Sequence, residues 1–166
     1  MLSREKYYYF MDVTPTDGSP TWKLFGERVE SLEKEFNTNE HTFHPITREN
    51  PIVTTTSFAK QSSVSQIADK DDPIFDFIDE IFWKELKGND AKTQILEVAE
   101  HRAVSGQVNT YEAKQSEVLV SQQSEGGDGG GSYTYAYNLH WVSDPVFGQV
   151  AITAGVPVFT PDSGSF

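Results

Sequence analysis

The chain has 166 residues, which is enough for one ordinary domain with a real core and about 8,000 Å² of folded surface. It carries 25 acidic residues against 13 basic ones, for a formal net charge of −12. A chain this acidic is not expected to bind phosphates by counterion release or to seek anionic membranes. The absence of cysteine excludes disulfides and thiolate metal sites, and no run approaches the ~18 apolar residues of a membrane span.

The N-terminal part of the chain contains one clear strand and one ambiguous segment. Residues 5–13 are rich in aromatic and β-branched residues, which predicts a strand. Residues 22–36 have apolar residues at helical spacing, yet their alternation from residue 30 onward also permits a strand. The apolar residues at helical spacing are Phe25, Val29, Leu32 and Phe36. The local pattern slightly favours a helix.

The polar stretch 37–50 predicts a long loop that carries two apolar residues, Phe43 and Ile46. A structureless loop of this length usually has a function or is disordered. His41 and His44 are three residues apart and could ligate a metal if they lay on a helix. The surrounding asparagines and proline favour a loop instead, so we predict no metal site.

The clearest single element is a helix at 73–87. Asp72 suits the N-cap, Pro73 the first helical position, and Gly88 the left-handed residue beyond the end. One face is broadly apolar and the opposite stripe is charged. Trp83 breaks the pattern because it lies on the charged stripe. Either it packs beneath a loop of its own chain, or it anchors a protein interface, where tryptophan is enriched.

Most of the remaining chain predicts strands. The segment at 133–141 has an apolar residue at every odd position, four of them aromatic, as expected for a half-buried strand. A glycine-rich turn at 125–131 precedes it. The other predicted strand segments are 51–68, 92–104, 108–121, 149–153 and 156–160.

The sequence contains none of the catalytic or cofactor motifs that we considered. There is no nucleophile elbow, no phosphate-binding P-loop, no zinc-protease helix motif and no dinucleotide fingerprint. His101 and His140 fall in predicted strands at positions typical of a polar face. Carboxylates are abundant, but abundance does not identify a catalytic pair. We therefore predict neither enzyme activity nor a cofactor.

Four phrases together resemble one protein family. They are KYYYFMDV at 6–13, SLEKEFN at 31–37, DPIFDFID at 72–79 and GGDGGG at 126–131. In this order, and spanning nearly the whole chain, they resemble the major tail (tail tube) proteins of long-tailed bacteriophages of Gram-positive hosts, or a prophage-derived relative. None of the four is a catalytic motif.

The resemblance implies a mainly β (α+β) fold, a sandwich or barrel of the tail-tube type with one flanking helix at about 73–87. It implies a single domain, 1–166, whose N-terminal segment, 37–50 loop and C-terminal tail act as assembly arms. It also implies that 22–36 is strand rather than helix. Such proteins stack as hexameric rings into a tube for the genome, and the implied location is the virion tail, assembled in the bacterial cytoplasm.

The resemblance also implies partners: further copies of the chain, the tape measure protein, and the distal tail and tail-terminator proteins. DNA would pass through the lumen without specific binding, and no membrane is involved. Six copies at −12 each carry −72, and an acidic bore would repel the duplex and ease its passage. The expected lumen-facing residues are Glu97, Glu100, Glu112 and Glu117. The expected subunit-interface residues are Trp83, Phe43, His44, Ile46, Tyr7 and Tyr9.

Other interpretations stay open at this point. The negative charge could simply keep the free subunit soluble and monomeric. The chain could be another virion component, from the distal tail or the head-completion complex. The aromatic strand could present a stacking platform for carbohydrate, the carboxylates could serve an enzyme, and the charge alone would suit a DNA mimic.

Overall fold

The computed structural model describes residues 1–162. The last residues of the expected C-terminal arm, 163–166, lie outside the described residues. The strands are β1 (Tyr7–Asp12), β2 (Trp22–Phe25), β3 (Thr38–Phe43), β4 (Ile52–Phe58), β5 (Gln61–Ile67), β6 (Lys92–Ala103), β7 (Thr110–Gly126), β8 (Thr134–Trp141), β9 (Val146–Thr153) and β10 (Val156–Pro161). The helix α1 is Phe75–Trp83, and short 3-10 turns lie at Arg4–Lys6 and Gly88–Ala91.

The long strand β7 organises the sheet. On one side it pairs with β6, and on the other it pairs first with β9, through residues 110–115, and then with β8, through 118–126. The sheet continues from β9 to β10, from β6 to β1 and β2, and from β8 to β5, always antiparallel. The terminal strands β2 and β10 approach each other, which curls the sheet towards a barrel. The expectation of a mainly β fold with one flanking helix is confirmed.

Two apolar cores lie on opposite faces of β1 and β6. Met11 and Ile95 point into the larger core, beneath α1, β5 and β8, whereas their neighbours Phe10 and Leu96 point into the smaller one. Both strands are therefore buried on both faces, which explains why β6 has a nearly continuous apolar run instead of an alternating one.

The aromatic strand has the predicted alternation. In β8 the buried residues are Tyr135, Tyr137, Leu139 and Trp141, and the residues between them are half-buried. Tyr133 precedes the strand and is exposed. Because the aromatic face points into the larger core, it offers no open platform for stacking a sugar ring, and this removes the basis of the carbohydrate interpretation.

The helix is shorter at its start than predicted, because Pro73 and Ile74 precede its first residue, Phe75. The N-cap is Ile74 rather than the expected Asp72, but the Asp72 carboxylate still binds the backbone just before the helix. Its Oδ1 accepts a hydrogen bond from the Ile74 N–H at 3.0 Å, and its Oδ2 accepts one from Gln66 Nε2 at 2.9 Å. Tyr137 donates to Gln66 Oε1 at 2.6 Å, so a buried polar chain connects the helix start to β5 and β8.

The helix end was predicted wrongly. It ends at Trp83, and Glu85, not Gly88, takes the first left-handed conformation, with φ of 50°. The Leu86 N–H donates to the Ile81 carbonyl at 3.0 Å and the Glu85 N–H to the Phe82 carbonyl at 3.3 Å. These two bonds form a Schellman motif with glutamate where glycine is usual. Gln122 Nε2 also donates to the Ile81 and Leu86 carbonyls, which ties the helix end to β7.

The ambiguous segment 22–36 is not a helix. Its first four residues form β2, as the family resemblance implied, and Gly26 then turns the chain with φ of 115°. The remainder runs along the outer edge of β5 and touches it through isolated bridges at Val29 and Glu35. The expectation of a strand is therefore correct only for Trp22–Phe25. Backbone pairing with β5 outweighed the local helical spacing, since the tertiary context decides such cases.

The expectation of a structureless loop at 37–50 is wrong for its first half, whereas residues 44–50 have no helix or strand, as expected. Residues Thr38–Phe43 form β3, which pairs with β4 in a separate two-stranded sheet. The partner strand is the β-branched run at 52–56, and the pattern of residues 37–50 alone does not predict this pairing. Every residue of both strands is exposed. The accessible surface of 10,812 Å² accordingly exceeds the roughly 8,000 Å² of a compact chain of this size.

The remaining strands match their predictions closely, with shifted bounds. The predicted segment 51–68 divides into β4 and β5, and β7 extends into the glycine-rich turn as far as Gly126. Gly126 and Gly130 in that turn have positive φ. Within residues 1–162, no helix has the length and apolar character needed to cross a bilayer.

Candidate functional site: assembly surfaces

The hairpin formed by β3 and β4 has several exposed apolar side chains. Phe43 is 56% exposed, Val53 is 55% exposed, and Ile46, between the two strands, is fully exposed. The base of the hairpin is fixed where the Glu35 N–H donates to the Gln61 carbonyl at 2.8 Å. Phe36 and Phe58 also meet edge to face there, with ring centroids 5.3 Å apart. A rigid base thus carries a hairpin that contributes no side chain to either core.

The predicted interface residues divide into exposed and buried ones. Phe43, His44 and Ile46 are exposed at the distal end of the hairpin. Tyr7 is half-buried and donates a hydrogen bond to Glu97 Oε1 at 3.1 Å. Tyr9 is only 4% exposed and belongs to the larger core, so the expectation that it offers its side chain to another subunit is corrected.

Trp83 is the last residue of α1, and it is 84% exposed. The interpretation that it packs beneath a loop of its own chain is therefore wrong. A tryptophan side chain buries roughly 150–250 Å² when it is covered, and most of that area is open at Trp83.

The four predicted lumen carboxylates do not share one environment. Glu97 is buried on the inner face of β6, only 1% exposed, and is paired with Lys34, so the expectation of a solvent-facing carboxylate is corrected there. The other three lie nearer the surface, each paired with a basic residue of the same chain. Those pairs are Glu100 with Lys6 at 2.8 Å, Glu112 with Arg102, and Glu117 with Lys92 at 3.8 Å.

A different acidic surface lies on the segment that follows β2. Its exposed carboxylates have no ion-pair partner within 4.0 Å in the part of the chain described, and they are Glu27, Glu30, Glu33 and Glu35. Val29, Leu32 and Lys34 lie between them and are half-buried. The charged run was visible in the sequence, but the path of the segment along β5 decides that its glutamates face outward.

Beside the base of the hairpin lies a groove of about 970 Å³, called here the lysine groove. Its lining residues are Phe36, Thr55, Thr56, Ser57, Phe58, Lys60, Lys114, Trp141, Val142, Ser143, Asp144, Pro145 and Phe147. Just beneath it, Lys34 Nζ lies 2.6 Å from Glu97 Oε1 and 5.5 Å from the ring centroid of Trp141. The sequence did not predict this groove, because Lys60 and Lys114, which line it, and Lys34, beneath it, come from separate parts of the chain.

Burial lowers the pKa of both Lys60 and Lys114, and the neighbouring ammonium of Lys34 lowers each of them further. Neither side chain has a carboxylate within 4.0 Å among residues 1–162. The buried indole Nε1 of Trp141 also has no hydrogen-bond partner there. The lysine groove is thus locally cationic in a strongly acidic chain.

The histidines are dispersed over the fold. His41 lies on β3, contrary to the expected loop, and His44 follows that strand, both exposed. His101 is exposed on β6 and His140 is half-buried on β8. Over the described range 1–162, no three histidine or acidic side chains come together as a set of metal ligands.

No protein-family model matches the sequence, and no curated protein matches it significantly. Among the solved structures that match the fold are two from gene transfer agent particles. One is the tail of an empty gene transfer agent particle, determined with helical refinement and C6 symmetry. It has a TM-score of 0.61 and 10% identity over 89% of this chain and 98% of that chain. The other is the virion of a native gene transfer agent particle, with a TM-score of 0.60 and 8% identity over the same shares.

At such low identity these matches establish the fold alone. The chain therefore shares, along nearly its whole length, the fold of protein chains found in these tailed particles.

Proposed function

We propose that this chain is a structural protein of a phage-like tail, which assembles as hexameric rings stacked into a tube that conducts DNA. The observation that carries the proposal is the fold match to a chain of a C6-symmetric tail, covering 98% of that chain. In this role the protein has no catalytic function. Its location would be the virion, with assembly in the bacterial cytoplasm, and the host would be Gram-positive by the sequence resemblance.

The exposed hairpin supports stacking. An isolated two-stranded sheet is only marginally stable in water, and this one holds Phe43 and Ile46 away from the core. Covering such side chains would contribute roughly 1.5–3 kcal/mol each for full burial. We propose that the hairpin reaches the adjoining ring, with the N-terminal segment and the C-terminal tail as further arms.

Trp83 supports a second contact on a different element. It is exposed on α1, the one α-helix of residues 1–162, and no other part of the described chain covers it. We propose that it packs against a neighbouring subunit, together with Tyr7 near the N-terminus.

The charged residues of β6 and β7 support a role in a tube that conducts DNA. We propose that Glu100, Glu112 and Glu117 line the lumen, where their pairing with Lys6, Arg102 and Lys92 holds them along β6 and β7. Because each of these carboxylates is balanced by one cation, such a lining would have no excess of positive charge to bind the phosphates of DNA by counterion release, so the duplex could move through it. The further partners would be the tape measure, distal tail and tail-terminator proteins.

Electron microscopy of the purified, concentrated protein tests the proposal. The expected result is long hollow tubes with sixfold end views, whereas single rings would favour the second candidate, a distal tail or head-completion component. Protein that stays monomeric under all assembly conditions would contradict both.

A matched pair of variants tests the hairpin. Ile46→Ser should leave the unfolding midpoint of the monomer unchanged and prevent ring stacking, since Ile46 is fully exposed in the free chain. Val108→Ser is the control, because Val108 is 87% exposed in the β6–β7 connection, away from the hairpin. Equal tube yields from the two variants would argue against a contact by the hairpin.

A further inference from the structure

Within residues 1–162, no carboxylate forms an ion pair with either of the two lysines that line the lysine groove. Lys34 and Glu97 form a neutral pair, which leaves the ammoniums of Lys60 and Lys114 facing a single lining carboxylate, Asp144. No carboxylate of residues 1–162, Asp144 included, lies within 4.0 Å of Lys60 or Lys114.

This arrangement is unfavourable in the isolated chain. A half-buried ammonium loses part of its hydration, and the ammonium of Lys114 is also repelled by that of Lys60. Burial is the first cause of the lowered pKa of Lys60 and Lys114; the charge of Lys34 lowers both pKa values further, and the carboxylate of Glu97 acts in the opposite direction. An incoming carboxylate would relieve both, and it would form charge-assisted hydrogen bonds that are stronger than neutral ones.

The groove also has an apolar rim. Phe58 is 53% exposed, Val142 is 43% exposed and Phe147 is 61% exposed, and all three line it. A small inorganic anion needs no such rim, whereas a protein surface does, since protein interfaces combine an apolar area with a few well-placed polar groups. The shape and composition therefore favour a polypeptide that carries carboxylates.

We propose that the lysine groove receives carboxylate side chains from a second copy of this chain, which docks there during assembly. The inference rests on the proposed function, because it assigns one contact of the polymer. A second copy is the occupant with the complementary charge, since each chain has 25 acidic residues against 13 basic ones. The groove is also continuous with the proposed assembly hairpin, because Thr55, Thr56, Ser57 and Phe58 of β4 form one of its walls.

The charge of the groove is tested with a double variant, Lys60→Gln/Lys114→Gln. Its matched control is Lys23→Gln/Lys70→Gln, which makes the same change in net charge at two exposed lysines outside the groove. The concentration at which assembly begins is measured by sedimentation and light scattering. The groove variant should require about tenfold more protein than wild type, while the control should assemble like wild type. Lys60→Arg/Lys114→Arg should assemble like wild type because it keeps both charges.

The folding of the monomer gives a second readout. The groove variant should unfold at the same or a higher urea concentration than wild type, because the substitution removes mutually repelling charges. A weaker assembly then reflects a lost contact and not a damaged fold. If the groove variant and the control assemble at the same concentration as wild type, the inference is wrong while the proposed function stands.

The occupant is identified by zero-length carbodiimide coupling in tubes made from a mixture of isotopically light and heavy copies. The reagent joins an amine to a carboxylate that contacts it. Coupling of Lys60 or Lys114 to a carboxylate of the other isotope supports the inference, and coupling only within one copy overturns it. Tight binding of inorganic phosphate to the unassembled chain through these lysines, without any effect on assembly, would make the occupant a small anion and also overturn it. If wild type never assembles, the proposed function fails first and this inference fails with it.

Discussion

Lys34 Nζ lies 2.6 Å from Oε1 of Glu97, and the two side chains are only 9% and 1% exposed. The pair joins the segment that follows β2 to the inner face of β6, across 63 residues of sequence. Glu97 Oε2 has no hydrogen-bond partner in the part of the chain described. Lys34 is the one cation within 4.0 Å of this buried carboxylate among residues 1–162, so the pair helps the backbone bonds at Glu35 to hold the segment 29–35 on the sheet.

We expect Lys34→Met to destabilise the fold by about 3–5 kcal/mol, because it leaves Glu97 buried without a counter-charge. The double variant Lys34→Met/Glu97→Leu should recover much of that loss, since a buried apolar pair needs no desolvation of charge. Urea unfolding measures both. Lys84→Met is the control: it removes an exposed pair with Glu80 and should cost less than about 1 kcal/mol. A Lys34→Met variant as stable as this control would show that the buried pair contributes little.

Glu85→Gly should stabilise the chain by roughly 0.5–1 kcal/mol. Glu85 has φ of 50° at the end of α1, a conformation that strains every residue with a Cβ and suits glycine. Thermal or urea unfolding measures the gain. Glu85→Ala removes the same side chain but keeps the Cβ, so it should not reproduce the effect, and equal gains from both substitutions would locate the cause elsewhere.

Tyr137→Phe should lower the free energy of unfolding by about 1–3 kcal/mol, although it removes only one oxygen. The Tyr137 hydroxyl is buried and donates to Gln66 Oε1, so the substitution leaves a buried amide oxygen without its donor. Tyr133→Phe is the matched control, because Tyr133 is 49% exposed. Unfolding in urea compares the two, and equal stabilities would contradict the role of the polar chain from Asp72 to Tyr137.

We expect the stability of the fold to decrease above about pH 10. Burial raises the pKa of Tyr8 to about 12, and it raises the pKa values of Tyr7, Tyr9 and Tyr137 as well. Above the ordinary tyrosine pKa the unfolded chain loses these protons and the folded chain keeps them, so rising pH favours unfolding. Each tyrosine that stays protonated costs up to about 1.4 kcal/mol per pH unit.

Lys60 and Lys114 have the opposite effect. Because their pKa values are lower in the folded chain than in the unfolded chain, they make stability increase as the pH rises towards the pKa of lysine in the unfolded chain. The tyrosines exceed them in number and should dominate above about pH 10. Urea midpoints measured across this range, together with the ultraviolet absorbance of tyrosinate, test the sign. Tyr9→Phe should flatten the decline, and a stability that stays constant to pH 11 would contradict the expectation.

Trp83→Ala should leave the monomer nearly as stable as wild type, within about 0.5 kcal/mol, because the side chain is 84% exposed. If Trp83 anchors a neighbouring subunit, the same substitution should weaken assembly by about 2 kcal/mol or more. Monomer unfolding and the concentration needed for assembly separate these effects. A variant that assembles like wild type would remove Trp83 from the interface.

The periodicity of the sequence predicted several elements well. The strict alternation of β8, the helix around Phe75–Trp83 and the long strands β6 and β7 are set by the order of apolar and polar residues. Patterns of this kind are local, so they can be seen without knowledge of the neighbours. The exposure of Trp83 on the charged stripe of α1 also follows from helical geometry, although its lack of a covering loop does not.

The hairpin and the segment after β2 could not be predicted in the same way. The sequence 37–50 has no strand signal of its own, and it becomes β3 only because β4 pairs with it. Residues 29–35 have a helical spacing, yet they lie along β5 because backbone bonds at Glu35 and an ion pair at Lys34 hold them there. These contacts connect distant positions, so local propensity does not report them.

The strong negative charge, the mainly β character, the helix at the flank and the apolar faces of the principal strands all follow from the order of residues along the chain. Which charges are paired depends instead on the folded chain, which buries Glu97 against Lys34 and brings Lys60 and Lys114 together beside the hairpin. It also pairs three further glutamates with basic residues, namely Glu100, Glu112 and Glu117. The physical reason is that periodicity is a property of neighbouring residues, whereas the environment of a charge depends on residues that the fold brings together from distant parts of the chain.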